Sequence, residues 1–352
     1  MPATRLLPSS KLADRSLAIL AVGAALGFAY LVRALIAPCV VALVLAFTVH
    51  PLVAFLERRR VPHLLAALLG TLVATGVIAL VFVVLYGRIQ DLAGELPAYQ
   101  DRLREVWAGV TRRVLHLSEQ TRQLGPPRQP GTVRLEENVP WTSLLLGTAQ
   151  GALALAAAAT VSVFVLYFAL AEGPRLRQKF LAHAGRDLES RTRAVAALEE
   201  LHRDVSQYMW NRILLNGLLG IVTWACFAPW LDHAVVWGLT TAILHFVPYV
   251  GPAIGLAFPV LMALLQYGTL AHALLAGGVY LALVAAQGNV VDPIFLGKQL
   301  RLSALVVFVG SLFFFWLWGP VGLFVAVPVL STLRIVCKYV PRLGAIADFL
   351  AE

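Results

Sequence analysis

The chain has 352 residues, of which 59% are hydrophobic and only 13% are charged. An ordinary soluble domain carries about a quarter charged residues, so this composition excludes a soluble fold with a polar surface. The net charge of +9 does not indicate nucleic-acid binding, because the basic residues lie in short connections between apolar stretches, as is typical of membrane topology.

Eight apolar segments follow one another along the chain and predict membrane helices, because backbone groups inside a bilayer need hydrogen-bond partners within their own segment. They cover residues 17–36, 38–56, 64–87, 141–171, 205–231, 234–266, 270–291 and 302–334. Apolar runs of about 18 residues or more are long enough to cross the hydrocarbon core. We therefore expect an all-α fold, a polytopic transmembrane helical bundle.

The connections between these segments predict the domain organisation. We expect N-terminal membrane helices at 1–87, an external amphipathic connection at 88–140, a membrane helix at 141–171, a cytoplasmic amphipathic helix at 172–204, a C-terminal membrane transport region at 205–342 and a cytoplasmic tail at 343–352. Basic residues mark cytoplasmic loops, here the N-terminus, Arg58 to Arg60, and Arg334 with Lys338. The sequence thus predicts a protein of the cytoplasmic (inner) membrane with both termini in the cytoplasm.

Segments 234–266 and 302–334 are each more than 30 residues long, about 45–50 Å as single helices, and exceed the thickness of the core. Proline and glycine interrupt both near their midpoints: Pro248, Gly251 and Pro252 in one, Gly319, Pro320 and Gly322 in the other. Halves of about 14–15 residues are too short to cross, which predicts two re-entrant hairpins. Two tilted, proline-kinked spans are the alternative.

The positive-inside rule favours the hairpins over the kinked spans. Two hairpins place Lys298 and Arg301 in the cytoplasm, whereas two full spans place them outside. We therefore prefer the hairpin interpretation.

Polar residues at membrane depth mark solute or ion pathways more often than they face lipid. Asn211, Arg212 and Asn216 lie in the first half of the fifth segment, where the guanidinium can face an internal cavity and bind an anion or a polyol. Snorkelling of Arg212 to the cytoplasmic surface is the alternative.

A second polar group, Gln287, Asn289 and Asp292, closes the seventh segment, and Asp292 suits a proton or cation site. An interfacial turn, in which Asp292 pairs with Lys298 or Arg301, is the alternative. His245 precedes the first break and can titrate near neutral pH, or it serves only helix packing.

The sequence carries no catalytic signature of the His-Glu-x-x-His or Gly-x-Ser-x-Gly type, and the stretch that ends at Gly297 and Lys298 lacks the first Gly and the final Ser or Thr of a phosphate-binding loop. We expect neither an enzyme nor a cofactor. The predicted solute pathway comprises both polar groups, His245 and the six proline and glycine residues of the two breaks.

Several motifs resemble those of the autoinducer-2 exporter family. They are the stretch from His245 to Gly255 around the first break, the stretch from Asn289 to Lys298, the sequence from Leu317 to Gly322, and Ala326 to Pro328. The similarity extends over nearly the whole chain, including Ala46 to Pro51 before a basic loop.

This resemblance implies a secondary transporter that exports a small polar solute, such as a quorum-sensing signal of the autoinducer-2 type, with the lipid bilayer as its environment. Other members of the family are associated with exchange of sodium and protons, so coupling to either ion is a second expectation. We also expect a homo-oligomer. A structural or regulatory membrane protein, whose 88–140 region binds a partner, is the alternative of a different class.

Overall fold

The fold is helical in a computed structural model that describes residues 27–121, 141–184, 188–296, 302–340 and 343–351, with isolated residues between 16 and 24. Side chains are described for these residues except 96–121, 141–150 and 152. Four long helices come first: α1 Arg33–Arg58, α2 His63–Thr121, α3 Trp141–His183 and α4 Leu188–Phe227. The shorter helices are α5 Ala234–Leu244, α6 Val250–Tyr267, α7 Leu270–Ala286, α8 Asp292–Leu296, α9 Ala304–Trp318, α10 Pro320–Tyr339 and α11 Gly344–Leu350.

Six helices of the described chain are long and apolar enough to cross a membrane. They are Arg33–Arg58, His63–Glu95, Leu153–His183, Val250–Tyr267, Leu270–Phe295 and Pro320–Tyr339. Large apolar side chains along α2 and α3 are exposed, as expected of surfaces that face lipid. The predicted all-α, polytopic bundle is confirmed.

Helices continue across several of the predicted boundaries. The second segment was expected to begin at Pro38, but α1 starts at Arg33 and passes through that proline. α2 runs on beyond residue 87 to Thr121, and α4 joins the amphipathic helix to the fifth segment. The extension of α2 continues through Gly94, Pro97 and Gly109, whereas the amphipathic part of α4 contains neither proline nor glycine. Loss of hydropathy alone therefore does not end a helix. Residues 122–140 lie outside the described residues.

Both long segments are broken where the sequence predicted. α5 ends at Leu244 and α6 begins at Val250, while α9 ends at Trp318 and α10 begins at Pro320. The ring of Trp237 stacks on Phe258 with centroids 6.3 Å apart, so α5 and α6 run antiparallel as the first hairpin. Gly310 on α9 likewise faces Leu330 on α10, which makes these helices the second hairpin.

The expectation of equal halves of 14–15 residues was wrong. The first hairpin has arms of 11 and 18 residues, and the second has arms of 15 and 20. Pro252 and Pro320 sit in the first turns of α6 and α10, where a helix needs no N–H donor, so each second arm starts at the break. α6 and α10 are long enough to cross, whereas α5 spans only about 16 Å.

Each tip uses backbone conformations that L-residues rarely adopt. Tyr249 has φ 63° and ψ −53°, and the N–H of Val250 donates to the carbonyl of Pro248 at 2.7 Å, which together form a γ-turn. Gly319 has φ 65° and ψ −147°, a region open essentially to glycine alone.

One glycine in each hairpin lets the two arms approach each other. A β-carbon on Gly251 would lie 1.8 Å from the carbonyl oxygen of Leu244, and one on Gly322 would lie 1.9 Å from that of Phe314. The backbone of the preceding arm therefore fills the space beside each of these glycines. The absence of a side chain there lets the two arms pack closely.

The two hairpins enter the bundle from opposite ends. At one end, here called the Gln266 end, the base of the first hairpin closes where the N–H of Asp232 donates to the side chain of Gln266. His233 at the same base contacts Glu95 of α2 at 3.0 Å.

At the other end, here called the Glu200 end, Glu200 of α4 binds Lys338 and Tyr339 at the base of the second hairpin. His202, two residues further along α4, contacts the ring of His50 near the end of α1. Burial raises the pKa of Glu200, but the hydrogen bonds from Lys338 and Tyr339 outweigh it and leave that pKa below its usual value. Hairpins of opposite entry are the arrangement found in transporters with inverted repeats.

Candidate functional site

An ion pair joins α4 to the end of the seventh segment. Nη1 of Arg212 lies 3.2 Å from Oδ2 of Asp292, and the two side chains are only 20% and 23% exposed. Arg212 lies twelve residues beyond Glu200, about 18 Å along the helix from the Glu200 end. The guanidinium is thus directed to a carboxylate within the bundle, which disfavours the snorkelling interpretation.

Asp292 therefore has its cation partner on α4. The alternative partners, Lys298 and Arg301, lie outside the described residues. The second carboxylate oxygen of Asp292, Oδ1, is buried and has no hydrogen-bond partner among the residues that the structure describes.

Two amides meet one turn further along α4. Nε2 of Gln287 donates to Oδ1 of Asn216 at 3.3 Å, and both side chains are buried. Gln287 opens a π-helical turn, Gln287–Val291, that connects α7 to α8. A π turn widens the helix by one residue and is frequent at functional sites. Gln287 at the start of this turn and Asp292 directly after it both contact α4, the first through Asn216 and the second through Arg212.

His245 ends the short arm of the first hairpin beside this group. Its Nδ1 donates to the carbonyl of Thr241 at 2.9 Å, which leaves Nε2 of the neutral ring as an acceptor. His245 is 8% exposed, and its ring packs against that of Tyr280 on α7. The first hairpin therefore adds a third element to the pair formed by α4 and the α7–α8 segment.

These side chains share an unusual feature, which is that each keeps a buried polar atom without a partner. These atoms are Nδ2 of Asn216, Nε2 of His245, Oε1 of Gln287 and Oδ1 of Asp292, and the described part of the chain has three more, on Thr223, Tyr280 and Trp318. Most buried polar atoms in proteins are hydrogen-bonded, and each exception calls for an explanation such as a ligand or water. We call these residues together with Arg212 the polar cluster.

The sequence interpretation missed two tyrosines that support the polar cluster. Tyr208 is buried one helical turn before Arg212, whose guanidinium lies 5.6 Å from the centre of its ring. Tyr280 is buried on α7 with its ring 6.2 Å from that of His245. The spacings were visible in the sequence, since Tyr208 precedes Arg212 by four residues and Tyr280 precedes Gln287 by seven.

Two predicted pathway residues, Asn211 and Asn289, do not belong to the polar cluster. The amide of Asn211 donates to the carbonyl of Phe295 at 3.5 Å, and so ties α4 to α8. The amide of Asn289 donates to the carbonyl of Ala285 in its own helix. Both amides therefore satisfy backbone groups.

The break residues divide between the two hairpin tips. Pro248, Gly251 and Pro252 form the tip that begins at His245, so the first hairpin brings its break to the polar cluster. Gly319, Pro320 and Gly322 form the second tip. The contact between hairpins is aromatic: Phe246 packs on Phe324 with ring centroids 4.9 Å apart.

The polar cluster has the chemistry of a site for a small polar molecule. The charges of Arg212 and Asp292 oppose each other, so the site is close to neutral. It offers amide N–H donors from Asn216 and three acceptor atoms, on His245, Gln287 and Asp292. Among the described residues no group of three or more histidine, cysteine, aspartate or glutamate side chains could hold a metal ion.

Known proteins with similar sequences are transport proteins. The AI-2 transport protein TqsA of Escherichia coli (strain K12) is 29% identical over 323 residues, which cover 90% of each chain. A putative transport protein of Haemophilus influenzae is 29% identical over 332 residues, and the putative transport protein YhhT of Escherichia coli (strain K12) is 26% identical over 306. These alignments cover 90% and 86% of this chain, and 91% and 83% of the relatives.

The family model of AI-2E family transporters matches residues 17–342, which include both hairpins and every residue of the polar cluster. The family resemblance inferred from the break motifs is confirmed. This chain belongs to the AI-2E transporter family.

Proposed function

We propose that the chain is a secondary transporter that exports a small, uncharged, polyhydroxylated solute, and that the polar cluster is its binding site. The observation that carries the proposal is the set of four unpaired polar atoms on Asn216, His245, Gln287 and Asp292, which belong to three elements that pack together at membrane depth. The name of TqsA connects a relative with AI-2, the autoinducer-2 signal, and supports a solute of this class.

The charge of the polar cluster favours an uncharged solute. Arg212 is paired with Asp292, so an anion would have to compete with a carboxylate at 3.2 Å, and a cation with a guanidinium. A hydroxyl group both donates and accepts, and several hydroxyls on one solute match the mixture of amide, imidazole and carboxylate atoms. Each buried atom that gains a partner contributes to affinity, because it is otherwise left without a hydrogen bond.

The hairpins supply the expected element of alternating access. In transporters with inverted repeats, broken helices place their ends near the middle of the membrane around a solute site, and one part of the protein moves against the other. The unpaired atoms are shielded from solvent in the state described here, so release requires an opening movement. We expect the first hairpin to take part in it, since it carries His245.

Sodium and proton exchange is a second candidate function. It is favoured by Oδ1 of Asp292, a buried carboxylate oxygen without a partner in the described structure. Ion flux that persists in liposomes without any organic solute would select this function. Ion flux that requires the solute would instead identify the ion as the coupling partner of export.

The proposal includes an orientation in the cytoplasmic membrane. We place the Glu200 end in the cytoplasm because it holds Arg58 to Arg60 and Lys338, and basic loops are retained on that side. Both termini are then cytoplasmic. The exposed apolar faces of α2 and α3 are surfaces on which copies of the chain can associate into the proposed homo-oligomer.

Replacing Asn216 by leucine is expected to lower the efflux of autoinducer-2 from proteoliposomes by about tenfold or more, because a lost hydrogen bond leaves Gln287 unpaired as well. Asn289→Leu is the matched control, since that amide is bound within its own helix. Efflux is measured at equal amounts of reconstituted protein. Wild-type efflux by Asn216→Leu, or an equal loss in Asn289→Leu, would contradict the proposed site.

A further inference from the structure

The turn between α1 and α2 presents three consecutive arginines at the end of a membrane helix. α1 ends at Arg58, α2 begins at His63, and Arg58, Arg59 and Arg60 are all exposed. We call these three residues the arginine turn. Because both helices are candidate membrane spans, this short connection has to lie at the surface of the bilayer.

The backbone fixes the shape of the arginine turn. The N–H of Arg60 donates to the carbonyl of Glu57 at 2.9 Å, and that of Val61 donates to Leu56 at 3.2 Å, the paired bonds of a Schellman motif. Arg60 has φ 67°, at the position where glycine is the usual residue. An arginine in this left-handed conformation is uncommon, and residues held in such conformations are frequent at functional sites.

The acidic residue of the turn does not neutralise the arginines. The carboxylate of Glu57 contacts Nδ1 of His63, and the other ring nitrogen of His63 contacts the carbonyl of Ala171 on α3. This arrangement holds Glu57 toward α2 and α3. In the described part of the chain no acidic side chain lies within ion-pair distance of the arginine turn.

Other arginines near the Glu200 end do have acidic partners. Arg177 pairs with Glu199 at 3.1 Å, Arg193 with Glu189 at 2.9 Å, and Arg203 with Asp204 at 3.1 Å. The arginine turn thus differs from its surroundings in carrying three positive charges without acidic partners.

An exposed apolar surface adjoins the arginine turn. Phe55 is 53% exposed, and the guanidinium of Arg59 lies 5.4 Å from the centre of its ring. Leu64 and Leu65 at the start of α2 are also exposed. A cation beside exposed apolar side chains at the bilayer surface matches a molecule that has an anionic head and a hydrocarbon tail.

We propose that the arginine turn binds the headgroup phosphate of an anionic phospholipid. The guanidinium groups donate to the phosphate oxygens, for which arginine has the matching geometry, while Phe55, Leu64 and Leu65 contact the acyl chains. The Schellman motif fixes the backbone from which the three side chains extend. This site is separate from the polar cluster and does not depend on the solute that the protein transports.

The test measures the affinity of the full chain, purified in detergent, for phosphatidylglycerol and phosphatidylcholine by native mass spectrometry. Wild-type protein is expected to prefer phosphatidylglycerol. Arg58→Gln/Arg59→Gln/Arg60→Gln is expected to weaken phosphatidylglycerol binding by about a hundredfold, because each arginine near an anionic lipid surface contributes about a factor of five. Glycerol 3-phosphate, which carries the phosphate without acyl chains, is expected to compete poorly.

Two further variants keep the test decisive. Arg177→Gln/Arg193→Gln/Arg203→Gln removes the same charge from paired arginines and is expected to bind phosphatidylglycerol like the wild type. Arg60→Gly relieves the backbone conformation, so it is expected to fold at least as stably while binding phosphatidylglycerol about fivefold more weakly. Equal affinity for both lipids in the wild type, an equal loss in the paired-arginine control, or unchanged binding by Arg60→Gly would overturn the proposal.

Discussion

Arg212→Leu is expected to abolish solute flux and to lower the free energy of unfolding by about 3 kcal/mol, because it leaves the carboxylate of Asp292 buried without its cation. The Asp292→Leu change is expected to destabilise the protein in the same way, since it leaves the guanidinium unpaired. Stability is measured as thermal unfolding in detergent, and flux as efflux of autoinducer-2 from proteoliposomes.

The double variant separates the two effects of the ion pair. Arg212→Leu/Asp292→Leu leaves neither charge unpaired, so most of the lost stability is expected to return, whereas flux stays absent because the site has lost both of its charged groups. Arg193→Leu removes an exposed arginine that is paired with Glu189, and serves as the control. If the double variant transports like the wild type, the ion pair has only a structural role.

Gly251→Ala is expected to be among the most destabilising single substitutions at a hairpin tip. The new β-carbon would lie 1.8 Å from the carbonyl oxygen of Leu244, so the arms of the first hairpin have to separate, at a cost of about 1–3 kcal/mol or more. The thermal unfolding midpoint in detergent is expected to fall, and flux with it, because the tip carries His245.

Gly278→Ala provides the matched control for this substitution. A β-carbon on Gly278, in α7, would have nothing within 4 Å, so alanine there is expected to stabilise the helix by about 0.5–1 kcal/mol. Wild-type stability of Gly251→Ala would contradict the packing of the hairpin described here.

The sequence predicted the class of fold and the positions of both breaks, because hydropathy and the pairing of proline with glycine are local signals. It did not predict the lengths of the hairpin arms. Those depend on where α6 and α10 begin, and Pro252 and Pro320 mark helix starts only when the chain before them has already turned back.

The residues of the polar cluster were also predictable, but their partners were not. Arg212 and Asp292 were expected to act in separate groups, since they are 80 positions apart in the sequence and their pairing is a consequence of how α4 packs beside α8. The π turn at Gln287 arises from the same tertiary contact. Tyr208 and Tyr280 were missed because aromatic residues are common in membrane helices and carry no polar signal by themselves.

The glycines of the breaks show how a local signal can support two interpretations. Gly251 and Gly322 were predicted to belong to the solute pathway. The space beside each is filled by a carbonyl group of the preceding arm, so they serve the packing of the hairpins. Only the tertiary structure shows whether the space beside a glycine is open to a ligand or filled by the protein's own backbone.

The central claim, that the polar cluster binds the transported solute, is tested most directly by equilibrium binding of autoinducer-2 to the purified protein in detergent. Wild-type protein is expected to bind, and Asn216→Leu and Gln287→Leu are each expected to weaken binding by about tenfold. Because these two amides share one hydrogen bond, the double variant is expected to bind much more tightly than the product of the two single effects would give. Wild-type affinity in all three variants would contradict the account.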